Sequence, residues 1–381
     1  MKFYRITLLL ILAIQHFSFS QAPFCGFDEL REKLITNHPA GLYHEQQMHE
    51  SVYRAIINNE VSRGSGGVII IPLVFHIMHN NGPENVADSV IVNAVNELNL
   101  RFQNAAPYDD STGNAINIQF CLASVDPQGN ITTGITRTVT SLTNLSMAPG
   151  DDEAMKSLNR WSSLLYCNVY IVNQIAGGVA GYATYPYWAG SGIDGIVMEA
   201  AYLTNYHVLA HEIGHYCGLA HTFSYSCSNQ NCLLEGDQVC DTPPDTSSLG
   251  FPCLWNSCTT DAQDTTGLSP FTTDVNELPN YMDYTSCPLS FTQGQGERME
   301  TMVTLNRSLL SSSNGCGVNP GQAAPVAGFD FSVSTCNDGM VALSDSIAVN
   351  TLTSEWDFDN DGIYEFIGHD FNYTFPSSGT Y

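Results

Sequence analysis

The stretch His211-Glu212-Ile213-Gly214-His215-Tyr216-Cys217-Gly218-Leu219-Ala220-His221 decides the reading of this chain. Residues four apart lie on one face of a helix, so His211 and His215 project side by side and can share one ion. Glu212 lies about 100° further round, beside such an ion and not aimed at it. Gly218 permits the positive φ at which a helix stops and the chain turns sharply, which returns His221 as a third ligand. Three neutral imidazoles suit zinc and leave one coordination position open, as hydrolytic sites require.

Composition narrows the setting. The 381 residues include 38 acidic and 12 basic ones, a formal charge of −26, with a pI near 4.4. That length implies two or three domains, and 43% hydrophobic residues exclude global disorder. Such acidity argues against nucleic acid and anionic membranes as partners. Lys2 and Arg5, an apolar run at 6–14 and the small residues Ser18 and Ser20 read as a secretory signal peptide over 1–20. No later apolar run approaches a membrane span, so a secreted protein is expected. Cys25 follows Phe24, which does not suit a lipid anchor. All twelve cysteines follow the signal peptide and read as a disulfide framework. Six fall between Cys227 and Cys287, in a loop-like stretch with little core of its own, and their pairing stays open.

The spacing of apolar residues places the remaining elements. Residues 29–34 and 44–58 carry helical spacing, broken at Asn37-His38-Pro39, and Arg63-Gly64-Ser65-Gly66-Gly67 reads as a cleavable joint. Residues 68–78 predict a buried strand, and 88–102 an amphipathic helix with Ile91, Val95, Leu98 and Phe102 on one face. Strands are expected at 116–123 and 167–174, and 177–185 as an edge strand near a ligand. A helix over 205–219 carries the histidines. A long irregular region follows, then a last helix over 292–310 with Met299, Met302, Val303 and Leu309 at core spacing. Residues 311–324 are a linker by composition, and the tail turns to short β-type runs.

The histidine string, with Asn280-Tyr281-Met282-Asp283-Tyr284 as a Met-turn, resembles the metzincin proteases. More narrowly, it is similar to the pappalysin family through three further groups of residues: Gly236-Asp237-Gln238-Val239-Cys240-Asp241-Thr242-Pro243, Phe291-Thr292, and the upstream Phe120-Cys121-Leu122-Ala123, Asp126-Pro127-Gln128-Gly129 and Gly134-Ile135-Thr136-Arg137. The resemblance covers about residues 68–310. It implies an α+β fold, a twisted, mainly parallel sheet over an active-site helix with a loop-rich C-terminal subdomain. It also implies a zinc-dependent endopeptidase acting on proteins or peptides. His211, His215 and His221 are then the zinc ligands, Glu212 the general base and acid, Met282 the apolar floor under the metal, and Tyr284 a stabiliser of the oxyanion.

The same resemblance implies structural calcium at Asp237, Asp241 and Thr242. It suggests disulfides Cys232–Cys258 and Cys253–Cys287, with Cys227 and Cys240 additional and Cys217 a buried hydrophobe or disulfide half. Cys25-Gly26 resembles the Cys-Gly of pappalysin pro-segments, so Cys25 is the expected latch of a zymogen, the alternative being a disulfide. The domains read as signal peptide 1–20, pro-segment 21–66, catalytic domain 67–310, linker 311–324 and β module 325–381. Only Thr285-Ser286 separates Tyr284 from Cys287, so the acidic residue of members that cut before Arg or Lys is missing. The β module resembles a PKD domain, a partial immunoglobulin-like sandwich through Trp356-Asp357-Phe358 and Gly379-Thr380-Tyr381, expected to be truncated. Such a module suits weak protein or glycan binding, and a non-catalytic secreted adhesin is the alternative reading. Asp357, Asp359 and Asp361 before Gly362 offer a further calcium-like spacing.

Overall fold

The run expected as a buried strand is the centre of the sheet: from Ile71 onward every residue of Ile69–His79 is buried. The computed structural model describes residues 24–58, 67–146, 150–246, 255–285 and 288–317, and beyond these short strands between 330 and 374. The signal peptide, residues 63–66 of the joint, Cys253, Cys287, Cys336, residues 318–324 of the linker, and Asp357, Asp359, Asp361 and Gly362 lie outside the described residues. In chain order the elements are β1 (Phe24–Cys25), α1 (Phe27–Asn37), α2 (Ala40–Ile57), β2 (Ile69–His79), α3 (Asp88–Phe102), β3 (Ile118–Leu122), β4 (Ile135–Val139) and β5 (Asn144–Leu145). There follow α4 (Asp151–Lys156), β6 (Cys167–Val172), β7 (Gln174–Ile175), β8 (Val179–Ala183), β9 (Ile196–Glu199), α5 (Tyr206–Tyr216), α6 (Gln293–Asn306) and α7 (Ser308–Ser311).

The sheet runs β1-β8-β9-β6-β2-β3, and β4 continues beside β2 where β3 ends. Only β8 against β9 is antiparallel; the other pairings of this sheet are parallel. Side chains alternate across a strand. Leu73, Phe75 and Ile77 therefore join a core with Ile91, Leu98 and Phe102 of α3 and Leu209 and Ile213 of α5, while Met78 packs on the other face with Leu30, Met155, Tyr170 and Tyr182. The strand expected at 177–185 is β8, but it is no open edge. β1 adds to it in parallel, with Cys25 opposite Gly181.

Three expectations change. Leu309 is 52% exposed and Leu310 is buried, because the last helix breaks at Arg307 (φ −129°, ψ 33°) and the helical phase restarts in α7. The disulfides are Cys121–Cys316, Cys227–Cys258 and Cys232–Cys240, not Cys232–Cys258. A tight turn, in which Leu234 and Glu235 both donate to the Asn231 carbonyl, folds Cys232 back toward Cys240. Thr260 Oγ1 meanwhile donates to the Cys227 carbonyl at 2.7 Å and holds that strand of chain beside Cys258. Finally, the tail contributes two antiparallel groups, Asp330–Val333, Met340–Ser344 and Asp370–Thr374 in one and Glu355–Trp356 with Phe366–Ile367 in the other; a two-layer sandwich is not established by them.

Two arginines close the far end of α5, where four carbonyls lack helical partners and the helix dipole is negative. Arg298 Nε donates to the Gly218 carbonyl at 3.2 Å, and Arg307 Nε to that of Tyr216 at 3.1 Å. Arg307 also forms a buried two-pronged pair with Asp194, both bonds 2.9 Å. Arg307→Met is expected to cost about 3–5 kcal/mol, because it leaves the Asp194 carboxylate buried and unpaired. The double change Asp194→Leu with Arg307→Met should cost less than the single one, and urea unfolding of both variants measures the difference.

Candidate active site

The local sequence builds the site from α5. His211 and His215 face the same way four residues apart, and Gly218 at φ +94° makes the reversal that brings His221 back. A side chain at 218 would also collide with Met302. The three Nε2 atoms converge to 3.1–3.2 Å of one another. Each Nδ1 has an acceptor, which fixes Nδ1 as the protonated nitrogen and turns the Nε2 lone pairs inward. The acceptors are the Tyr281 carbonyl for His211 (2.6 Å), the Leu219 carbonyl for His215 (2.8 Å) and Asp28 Oδ2 for His221 (3.0 Å). Burial, then the neighbouring imidazoles, lowers the pKa of His211 to about 3 and that of His215 well below its usual range. Neutral rings with converging lone pairs fit zinc. Cys25 Sγ completes the set, with all four donor atoms within 4.8 Å of one another.

Glu212 is wholly buried. Its Oε2 accepts from the Cys25 thiol at 3.5 Å, and its Oε1 has no hydrogen-bond partner among the described residues. Burial pushes its pKa up to about 8, partly offset by the thiol bond. Gly181 of β8 makes room for it, since a Cβ there would sit 3.2 Å from Glu212 Oε1. Met282 is buried against Gly214 of the histidine-bearing helix, where a Cβ would collide with its sulfur. Tyr284 Oη is 3.1 Å from His221 Nε2 and donates to the Cys25 carbonyl at 3.1 Å.

The N-terminal residues cover this site in one pass. Gly26 N donates to the Gly181 carbonyl at 2.8 Å, and Phe27 stacks on His215 with ring centroids 3.9 Å apart. Further out, Arg31 pairs with Glu45 at 2.6 Å, and Arg298 donates to His49 Nδ1 at 2.7 Å.

The structure thus brings together His211, Glu212, His215, His221, Met282, Tyr284 and Cys25. Asp237, Asp241 and Thr242 stand elsewhere, with the two carboxylates engaged by protein donors and the Thr242 hydroxyl donating to Asp237 and the Val239 carbonyl. Asp237 accepts from Thr242 Oγ1 and Val239 N, and Asp241 accepts from Thr292 Oγ1 and Gly294 N at the start of α6. Sequence reasoning missed Asp28. It also missed Asn280 and Gln295, whose side-chain amides bond to each other and tie the Met-turn to α6. The Thr292/Gln295 capping-box spacing was the available signal for Gln295.

Comparison with known proteins agrees with this geometry. The family described as Pregnancy-associated plasma protein-A, Peptidase M43, matches residues 151–304. Extracellular metalloprotease 1 of Coccidioides posadasii is 34% identical over 169 residues, which are 40% of this chain and 55% of that protein. The extracellular metalloprotease of Sordaria macrospora is 29% identical over 290 residues, 70% of this chain and 87% of the relative. Among solved structures, mature mirolysin of Tannerella forsythia with a cleaved peptide aligns at 27% identity and TM-score 0.52, over 65% of this chain and 96% of that one. A promirolysin variant of the same organism aligns at 25% identity and TM-score 0.57, over 76% and 97%. Extracellular relatives, disulfides and a three-histidine cluster all agree, and over residues 151–304 the chain is similar to the Peptidase M43 family of metalloproteases.

Proposed function

We propose that this chain is the precursor of a secreted zinc endopeptidase, kept latent by residues 21–66 with Cys25 as the latch. The observation that carries the reading is a buried carboxylate, Glu212, set beside three converging imidazoles and facing a thiol from the N-terminal segment. The mature mirolysin structure holds a cleaved peptide, which supports protein or peptide substrates here. Zinc held by His211, His215 and His221 would supply Lewis acidity for activating water and polarising the scissile carbonyl. Glu212 accepts the proton of the attacking water and delivers it to the leaving nitrogen. Tyr284 donates to the oxygen of the attacked carbonyl. In the precursor that bond goes to the Cys25 carbonyl instead, so the segment takes a place meant for substrate.

The tail, residues 325–381, is proposed as a PKD-like module, a reading its antiparallel strands support. Calcium is proposed for the loop after His221. Support comes less from Asp237, Asp241 and Thr242 than from buried carboxylate oxygens nearby, Asp245 Oδ1 and Glu277 Oε2, that have no hydrogen-bond partner among the described residues. Burial and the Asp283 charge push the Asp245 carboxyl up, a cost a cation would relieve.

Glu212→Gln should leave zinc stoichiometry intact and lower peptide turnover of the processed protein by roughly 100- to 10,000-fold or more; retained turnover would overturn the assignment. Cys25→Ser in the unprocessed chain should give activity, or faster self-processing, on casein gels; a silent precursor places inhibition elsewhere in the segment. A calcium-selective chelator should lower the melting temperature while zinc content stays constant, since a ligand of the native state alone stabilises it. Superimposable melting curves would remove calcium from the account.

A further inference from the structure

The three zinc-facing histidines are not held alike. His211 and His215 donate their Nδ1 protons to backbone carbonyls, Tyr281 and Leu219, which belong to the catalytic domain and stay after any processing. His221 donates to Asp28, a side chain of the N-terminal segment, at 3.0 Å. A carboxylate behind a ligating imidazole fixes its tautomer and orientation and raises its basicity, and such partners commonly alter metal affinity 10- to 100-fold. Resting on the zinc-protease reading, we propose that Asp28 is a positioning residue for the metal. The precursor therefore holds zinc more tightly than the enzyme released from it, independently of the Cys25 thiol.

Two features of the geometry bear on the size of the effect. Asp28 is the second residue of α1, and its side chain is 63% exposed. Water competes for its oxygens, so the lower end of that range, about tenfold, applies. The Nδ1 it holds belongs to a wholly buried ring, and Phe27 and Phe223 flank that ring. By reciprocity, whatever Asp28 adds to zinc affinity, zinc adds to the seating of the segment. Loading the metal and closing the latch then favour one another, and cutting the segment away loosens the hold on zinc.

The test uses the full-length precursor carrying Glu212→Gln, so that it cannot process itself, loaded with zinc and equilibrated against a chromogenic zinc chelator. Asp28→Asn should weaken zinc retention about tenfold, and Asp28→Glu should recover part of it. Glu29→Gln removes a charge from the same helical turn, where the carboxylate pairs with Lys33, and should change nothing. The decisive comparison repeats Asp28→Asn in a Cys25→Ser background. If Asp28 acts through His221 the tenfold loss persists there. If the loss vanishes, Asp28 only seats the thiol and the proposal fails, as it does if Asp28→Asn matches the parent. A parent that binds no zinc at all would instead overturn the protease reading itself.

Discussion

Three imidazole nitrogens held 3.1–3.2 Å apart, each presenting a lone pair to the same point, are the constraint from which the rest follows. The lone pairs repel one another, so the surrounding chain has to hold the rings together. It does so by anchoring each ring from behind and by fixing both ends of the segment that carries them. The Met-turn gives the Tyr281 carbonyl to His211 and packs Met282 against Gly214 of the same helix. Gly218 supplies the turn. Arg298 and Arg307, one helix away, take up the carbonyls that this turn and the helix end leave exposed. α6 is therefore as much a part of the metal site as α5, although it contributes no ligand.

The N-terminal segment exploits the same parts. Four consecutive residues reach the site: Cys25 meets Glu212, Gly26 bonds to β8, Phe27 stacks on His215 and Asp28 bonds to His221. None of these contacts is large, and a stretch of four residues cannot fix itself by them. The hold comes from further along, where Arg31 clamps Glu45 and α2 lies against α6. Arg298 stands at the join. One of its nitrogens supports the Gly218 carbonyl and another donates to His49 of α2, so the residue that stabilises the turn before His221 also anchors the cover over it.

Much of this was legible in the sequence, for a definite reason. The three histidines and Glu212 lie within eleven residues, so helical geometry for His211, Glu212 and His215, and one glycine turn for His221, set their relation. β2, and α3 over Asp88–Phe102, carry unbroken periodic patterns and are found where the pattern puts them. What was not legible depends either on local breaks in the chain or on contacts distant in sequence. The Cys232–Cys240 pairing is set by a local turn whose geometry no spacing rule reveals. β4 is half exposed and lacks an apolar stripe, and β9 has only four residues. Leu309 was misplaced because a periodic count runs straight through Arg307, where the helix breaks. Asp28 reads as an ordinary acidic residue in the first turn of a helix; only the return of His221 across 193 residues gives it a partner.

On the proposed activation, the asymmetry among the histidines would give the two forms of the protein different metal sites built from one set of ligands. When the segment departs, His211 and His215 keep their carbonyl acceptors, and Arg298 keeps Gln238 and Gly218 after losing His49. The helix, the turn and two of the three rings are thus indifferent to the cover. His221 is not, and it also adjoins Tyr284, which on the proposed function would exchange the Cys25 carbonyl for substrate at the same moment. Change on activation therefore concentrates on one edge of the site, where the third ligand and the phenol meet. Glu212, buried against β8 on another side, loses only a thiol. A rigid pair of ligands with one adjustable third allows the site to be assembled in one form and used in the other without refolding the domain around it.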